Sequence, residues 1–307
     1  MLGKFCSNMN IRSIKDYDFG SLHGYKTKGI VAYYAETSSR IDLVELLKKI
    51  KQNEIKIIAC GEGSNTLIRD RFDGLFIKWT EEKITLLNNK EMDDQNLKND
   101  EVLLKVSSSV KKSDLTEYCI NNSLSGLEFW AGIPGLVGGG TAMNAGAYCS
   151  QAQDCVHEIE LASPDGIKIL PANNLAWGYR KVNLPPYSVL LSTTFLLKRS
   201  DKDKVKKQSE EYIMDREKKH PLEYPSCGSV FKNPVNSEPG KGAWFFINEA
   251  GLSDFSIGGA RVSKKHTNFI INSGGATSRD VIALISKIKE TVYNKFKVRL
   301  EEEIKII

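Results

Sequence analysis

The 307 residues are 41% hydrophobic and 26% charged, which gives enough apolar material for two or three domains and excludes a wholly disordered chain. No run of about 18 apolar residues occurs, so a helical membrane span is excluded. A net charge of +5, carried by scattered basic residues, does not form a nucleic-acid stripe. In chain order, Ile30 to Tyr34 reads as a strand, and Ser38 or Ser39 caps a helix with Ile41, Val44, Leu47 and Ile50 on its apolar face. Ile55 to Ala59 is a short buried strand that empties into Gly61-Glu62-Gly63-Ser64-Asn65. Gly74 to Trp79, Ile84 to Leu87 and Val102 to Val106 are further strands, with a polar loop over Asn88 to Asp100. Ser113 is expected to cap a helix over Asp114 to Asn122. Val156 to Ala162 and Gly166 to Leu170 form a hairpin around Pro164-Asp165-Gly166, Asn174 to Arg180 is a short turn or helix, and Val189 to Lys198 is a long apolar strand. A Lys/Glu helix over about 202–218 marks a domain boundary. Beyond it come a helix from Trp244 to Ala250 stopped by Gly251, a strand within Val262 to Asn272, a helix over Arg279 to Phe296 capped by Ser278, and a closing strand from Val298 to Ile307. The elements do not alternate strictly between strand and helix, which argues against a doubly wound sheet.

The first ten residues, M-L-G-K-F-C-S-N-M-N, lack the apolar core of a signal peptide, so a cytoplasmic protein is expected. Cysteines at 6, 60, 119, 149, 155 and 227 contain no C-x-x-C pair and read as free thiols. Histidines at 23, 157, 220 and 266 show no metal-ligand spacing, and no metal is expected.

The stretch from Gly126 to Tyr148 holds seven glycines in 23 residues. Glycine lacks a Cβ and lets backbone approach a ligand closely, whereas each glycine inside a helix costs about 1 kcal/mol against Ala. The stretch is therefore expected as turn-rich backbone whose free N–H groups cradle an anionic ligand such as a pyrophosphate. Gly61-Glu62-Gly63-Ser64-Asn65, following a strand, is a second such cradle; by itself it also suits a plain turn. Among candidate reactive residues, Ser229 lacks a G-x-S-x-G frame and does not read as a hydrolase nucleophile. Lys232 and Asn233 can hold a phosphate and an amide or hydroxyl. Arg180 follows a tight Trp177-Gly178-Tyr179 turn, and His266 lies in a basic turn. Along Glu301-Glu302-Glu303, strand alternation puts Glu302 opposite to its neighbours.

Taken together, G-E-G-S-N at 61–65, G-I-P-G-L-V-G-G at 132–139, M-N-A-G-A-Y at 143–148, G-Y-R at 178–180, P-S-C-G-S-V-F-K-N-P at 225–234 and L-E-E-E-I at 300–304 resemble the UDP-N-acetylenolpyruvoylglucosamine reductase family, from about residue 20 to the end. The resemblance implies an α+β protein with a vanillyl-alcohol-oxidase-type FAD-binding fold: two small α+β subdomains, over 1–80 and 81–200, and a C-terminal α+β substrate domain over 201–307. It implies that FAD is wrapped by Gly61, Glu62, Gly63, Ser64 and Asn65, by Gly132, Ile133, Pro134, Gly135, Val137, Gly138 and Gly139, and by Asn144, Ala145, Gly146, Ala147 and Tyr148. With no His in either loop, the FAD is expected to be non-covalent. It further implies NADPH as hydride donor and UDP-N-acetylglucosamine enolpyruvate as substrate. Ser229 would be the general acid, Arg180 and Glu303 would stabilise the enol, and Tyr179, Lys232, Asn233 and His266 would line the substrate. A monomer is expected. Arg180 and Ser229 are 49 residues apart, too close for the long insertion of type I members, so the chain resembles type II. It departs from the family pattern at Val182, at Cys149 and around His23 to Gly29. Two other readings fit the glycine loops: another FAD-dependent oxidoreductase of the same fold, and a flavin-binding protein without turnover.

Overall fold

The computed structural model describes residues 9–21, 24–87, 98–235, 238 and 240–307. His23, Cys6 and most of the polar stretch expected as a loop over 88–100 lie outside the described residues. The described chain groups into two compact units, each discontinuous in sequence. The first contains the residues up to Lys15, Tyr33–Gly61 and Gly74–Asp215. The second contains Asp16–Ala32, Glu62–Asp73 and Arg216–Ile307.

The first unit is built on a six-stranded antiparallel sheet. Its strands run in the order Gly166–Pro171, Val156–Ser163, Val189–Arg199, Glu101–Ser107 and Ile84–Leu87, with Leu124–Ser125 paired to the end of Val189–Arg199. Leu104, Val106, Ile159, Leu161, Phe195 and Leu197 face a core closed by Trp130 and by helix α2, Lys112–Asn121. A four-stranded sheet has the order Arg12–Asp18, Ile30–Thr37, Arg71–Trp79, Ile57–Ala59, the last pair parallel. Helix α1, Arg40–Gln52, is capped by Ser39, whose hydroxyl accepts from Asp42 N. The face expected for this helix is right in part: Leu47 and Ile50 are buried and Val44 packs partly against the same core, but Ile41 does not belong to it. Leu43, Leu46, Leu47 and Ile50 are buried, while Ile41 is 83% exposed. A step of three residues falls short of a full turn, so a 41-44-47-50 row drifts around the helix. The 43-46-47-50 row stays on one face.

Two caps also shift. Helix α2 begins at Lys112 with Lys111 as an extended cap, and Ser113 lies inside it, bonded to Asp114. Short helix α3, Val137–Ala142, lies inside the glycine-rich stretch where turns alone were expected. Helix α4, Lys202–Lys219, carries the chain past Asp215, the last residue of the first unit.

The second unit packs helix α5, Ala243–Glu249, and helix α6, Ser278–Phe296, against a core of Val230, Phe231, Ile247, Val262, Ile270, Val281, Leu284, Ile285, Ile288 and Val292. The cap of α6 is Thr277, one residue before the expected Ser278. Thr277 and Asp280 form a reciprocal capping box. Val262 to Asn272 runs into the strand Ile270–Asn272, which pairs with Ala260–Val262 in a hairpin whose loop holds Lys264, Lys265 and His266. Of the closing strand, only Lys305–Ile306 is regular, paired in parallel to Thr66–Leu67.

Candidate active site

In the first unit the glycine-rich stretch is held against the end of Glu101–Ser107. Gly138 N donates to Ser108 O at 2.9 Å, Val137 N to Val110 O at 2.9 Å, and Lys112 N to Gly135 O at 3.1 Å. The glycines make this approach possible. A Cβ at 138 would lie 2.6 Å from Ser108 Cβ, and one at 140 would lie 2.9 Å from the Trp130 ring. Close packing therefore compensates the helix cost of these glycines. It also corrects the expectation of free backbone donors, because the N–H groups of Ile133, Val137, Gly138 and Gly140 all donate within the protein. Gly139 differs: it is exposed, and a Cβ there would meet nothing within 4 Å. The fold alone would gain from Ala at 139. A glycine in that place fits a group that lies against the helix from outside, as FAD would. Gly132 and Gly135 supply the positive φ angles, 75° and 95°, of the turns that precede α3.

The same stretch reaches Arg180 through two contacts. Arg180 is the second residue of the two-residue turn between Trp177–Gly178 and Lys181–Val182, at φ 56°. Its guanidinium lies 5.0 Å from the centre of the exposed Tyr179 ring, and Nη2 donates to Gly146 O at 2.8 Å. Fully buried Asn144 donates from Nδ2 toward Gly178 O, Gln151 Oε1 and Gln153 Oε1, and accepts from Gln153 N. Asn144 is thus the bracket between the 144–153 loop and the Arg180 turn, a role that no local pattern announces. Tyr148 and Cys149 form a tight turn at φ 52° and 63°, between Ala147 and its partner Ser150. The Tyr148 ring stacks on Tyr212 at 3.8 Å, and its hydroxyl donates to Asp215 Oδ2 at 3.0 Å. Gly61 also belongs to this unit; a Cβ there would make only ordinary contact with Leu136.

In the second unit, Gly63 turns the chain at φ 65°, and its carbonyl accepts from Gly24 N and Thr66 N. Glu62 and Ser64 are half-buried. Asn65 donates from Nδ2 to Glu303 O at 3.3 Å, and its carbonyl accepts from Lys305 N at 2.9 Å. Glu303 N in turn donates to Val230 O at 2.8 Å, so the backbone of Glu303 is fixed from both sides. Phe231 bridges Glu302, and Ser229 bridges Phe269. Ser229 follows Gly228 at φ 76° and is half-buried, one residue from the partner of Glu303. Buried Asn268 completes this frame. Its backbone carbonyl accepts from Val230 N, its Oδ1 accepts from Phe231 N, and its Nδ2 donates to Phe231 O. Sequence reasoning missed Asn268; its only signal was an amide beside the basic His266 turn.

Glu302 pairs with Lys289 at 2.8 Å, while Glu301 pairs with Lys232 at 2.5 Å, which holds the Glu301 carboxyl below its usual range. Asn233 Oδ1 accepts from Ala243 N at 3.1 Å and caps the start of α5. His266 is half-buried, 4.9 Å from Phe269 and 5.4 Å from His220 between ring centres. Its Nδ1 accepts from Asn268 N, and burial, with Lys219 nearby, pushes its pKa down. Among the described residues, Cys60, Cys119, Cys149, Cys155 and Cys227 are free thiols, and no group of three His, Cys, Asp or Glu is placed to hold a metal. No described helix is long and apolar enough to cross a membrane.

Family models match both parts of the chain. Residues 31–169 match an FAD binding domain, and residues 220–307 match the C-terminal domain of UDP-N-acetylenolpyruvoylglucosamine reductase. The UDP-N-acetylenolpyruvoylglucosamine reductase of Pediococcus pentosaceus is 40% identical over 259 residues, 84% of this chain and 81% of that one. That of Latilactobacillus sakei is 38% identical over 285 residues, 92% of this chain and 89% of that one. The crystal structure of the Thermus caldophilus enzyme superposes with a TM-score of 0.76 at 25% identity, covering 96% of this chain and 98% of that one.

Proposed function

Because this chain belongs to the UDP-N-acetylenolpyruvoylglucosamine reductase family, an FAD-dependent oxidoreductase family, we propose that it reduces UDP-N-acetylglucosamine enolpyruvate to UDP-N-acetylmuramate with NADPH. That reaction would place it in peptidoglycan precursor synthesis, in the cytoplasm and as a monomer. When bound, FAD supplies the relay that accepts hydride from NADPH and delivers it to the enolpyruvyl β-carbon. The residues that would hold it are 61–65, 132–139 and 144–148, with the open face at Gly139 as the feature that fits a bound group.

The chain's own residues then have distinct tasks. Hydride arrival at the β-carbon builds negative charge on the α-carbon and carboxylate of the substrate. A guanidinium preorganised to face that charge lowers the barrier, and Arg180 is the cation held in a strained turn for this purpose. Glu303 supplies a hydrogen-bonding carboxyl to the enol from a backbone fixed at both its N–H and its C=O. Ser229 delivers the proton to the α-carbon. A free serine hydroxyl is a poor acid, so the cations Arg180 and Lys232 would make the transfer competent. Lys232 would contact a phosphate of the UDP group, with Tyr179, Asn233 and His266 along the sugar nucleotide.

The observation that supports this reading is the frame of Asn268, Val230 and Glu303, in which Glu303 N donates to Val230 O, the residue next to Ser229, and Asn268 ties Val230 and Phe231 in place. The deciding assay mixes the yellow holoprotein with NADPH and follows NADPH loss with and without UDP-N-acetylglucosamine enolpyruvate. Oxidation dependent on the sugar nucleotide supports the reading. Oxidation dependent only on oxygen moves the protein to an oxidase of the same fold, and a colourless, inactive protein removes the flavin assignment. Size-exclusion chromatography tests the monomer.

A further inference from the structure

We propose that Tyr212 and Asp215, on the last turns of α4, are positioning residues for Arg180, acting through Tyr148 and the carbonyl of Gly146. This rests on the reading of Arg180 as the group that opposes charge on the enolpyruvyl carboxylate.

The contacts form a short chain. The Tyr148 and Tyr212 rings are stacked 3.8 Å apart and within 9° of parallel. The Tyr148 hydroxyl donates to Asp215 Oδ2 at 3.0 Å and to Tyr212 O at 3.2 Å. Two residues before Tyr148, Gly146 O receives Nη2 of Arg180 at 2.8 Å. Between these points the backbone has little room to adjust. A Cβ on Gly146 would lie 2.4 Å from Ser150 O. Tyr148 and Cys149 occupy a left-handed turn that non-glycine side chains tolerate only when their surroundings enforce it. The stack on α4 is one such enforcing contact. Without it, the Tyr148–Cys149 turn can relax toward a less strained shape and carry the Gly146 carbonyl with it. The guanidinium would then lose the acceptor that fixes its direction.

Asn144 ties the same loop to Gly178 and keeps the backbone of the Arg180 turn in place. The α4 contact therefore governs the direction of the Arg180 side chain more than the existence of its turn. The chemistry needs that direction only when substrate carboxylate is present. The NADPH half of the reaction does not use Arg180 in this reading.

The test is a double-mutant cycle on the FAD-loaded enzyme, with the two half-reactions followed separately by flavin absorbance. Tyr212→Ala is expected to slow the oxidation of reduced flavin by UDP-N-acetylglucosamine enolpyruvate about tenfold, a size typical of a misaligned catalytic group. With FAD saturating, reduction by NADPH should stay within about twofold of wild type. Tyr212→Phe keeps the ring and the backbone acceptor and should retain the wild-type rate, while Asp215→Ala should fall between the two. In an Arg180→Ala background, Tyr212→Ala should add no further loss. Additive losses, equal slowing of both half-reactions, or failure of Tyr212→Phe to restore the rate would each overturn the positioning role. If Arg180→Ala alone leaves the substrate half-reaction unchanged, the reading of Arg180 itself is overturned and the inference falls with it. That result is distinct from an additive cycle. Melting temperatures of all variants separate loss of fold from loss of alignment.

Discussion

Lys232 Nζ lies 2.5 Å from Glu301 Oε1, so the cation expected to meet the substrate phosphate is held by a carboxylate two residues before Glu303. Glu301 is largely exposed, and an exposed ion pair of this kind adds little to stability. Its importance is competition, since a phosphate must displace the carboxylate or share the ammonium with it. Glu301→Gln is expected to lower KM for the UDP-sugar severalfold and leave the melting temperature unchanged. Lys232→Ala should raise the same KM by roughly 10-fold to 100-fold, the worth of about 1.5–3 kcal/mol for a hydrogen bond to a charged group. Steady-state kinetics with varied sugar nucleotide read both. A rise of KM in Glu301→Gln would mean that Glu301 aims Lys232 and does not compete for it.

Neighbouring glycines in α3 predict opposite phenotypes. Gly140→Ala places a methyl 2.9 Å from the buried Trp130 ring and should lower the melting temperature of the apoprotein by several degrees. Gly139→Ala meets no protein atom within 4 Å and gains about 1 kcal/mol of helix propensity. The apoprotein should therefore be as stable as wild type or more so. Its FAD affinity should fall, because the methyl enters the space that suits the flavin nucleotide. Thermal unfolding of apoprotein and flavin titration separate the two effects. Unchanged FAD affinity in Gly139→Ala would remove that face from the cofactor site.

The boundaries of most elements were legible because they depend on near neighbours. The Val156–Ser163 and Gly166–Pro171 hairpin follows from its Pro-Asp-Gly turn, and α6 from its apolar row and an adjacent cap. What was not legible depends on contacts distant in sequence. The helix within the glycine stretch packs as it does because Ser108 and Trp130 lie where only a residue without a Cβ fits at 138 and 140. Lys232 finds Glu301 after 69 residues, and Asn65 finds Glu303 after 238. The candidate residues were found from motif order. Asn268 was not, and neither was the bracing role of Asn144, because a buried amide becomes a bracket only once the segments it joins are in place.

Helix α1 gives a direct check of the corrected face. Leu43 is fully buried and Ile41 is 83% exposed, although both are large apolar residues within four positions of the cap. Leu43→Ala should destabilise the first unit by about 2–5 kcal/mol, and Ile41→Ser by no more than about 0.5 kcal/mol. Urea unfolding of the two variants distinguishes the faces; equal losses would restore the 41-44-47-50 row.

His266 gives the molecule a pH-dependent element. Burial disfavours its imidazolium, Lys219 adds repulsion, and its own backbone opposes these only in part, so its folded pKa lies below the usual value of about 6.5. At pH above that value His266 is neutral in both the folded and unfolded states and contributes no pH dependence. As pH falls through about 6.5 the unfolded chain takes up a proton that the folded protein resists. Stability is lost over that interval, down to the depressed folded pKa. The neutral ring also has a structural task, since its Nδ1 accepts from Asn268 N, and Asn268 in turn holds Val230 and Phe231 beside Ser229. Protonation removes that acceptor. Wild type is therefore expected to lose melting temperature between pH 7.5 and 5 more steeply than His266→Gln, whose side chain does not titrate there. Activity in the substrate half-reaction should fall over the same range in wild type, while reduction by NADPH changes less. Parallel melting curves for the two proteins across that range would show that His266 does not titrate below its ordinary value in the folded state.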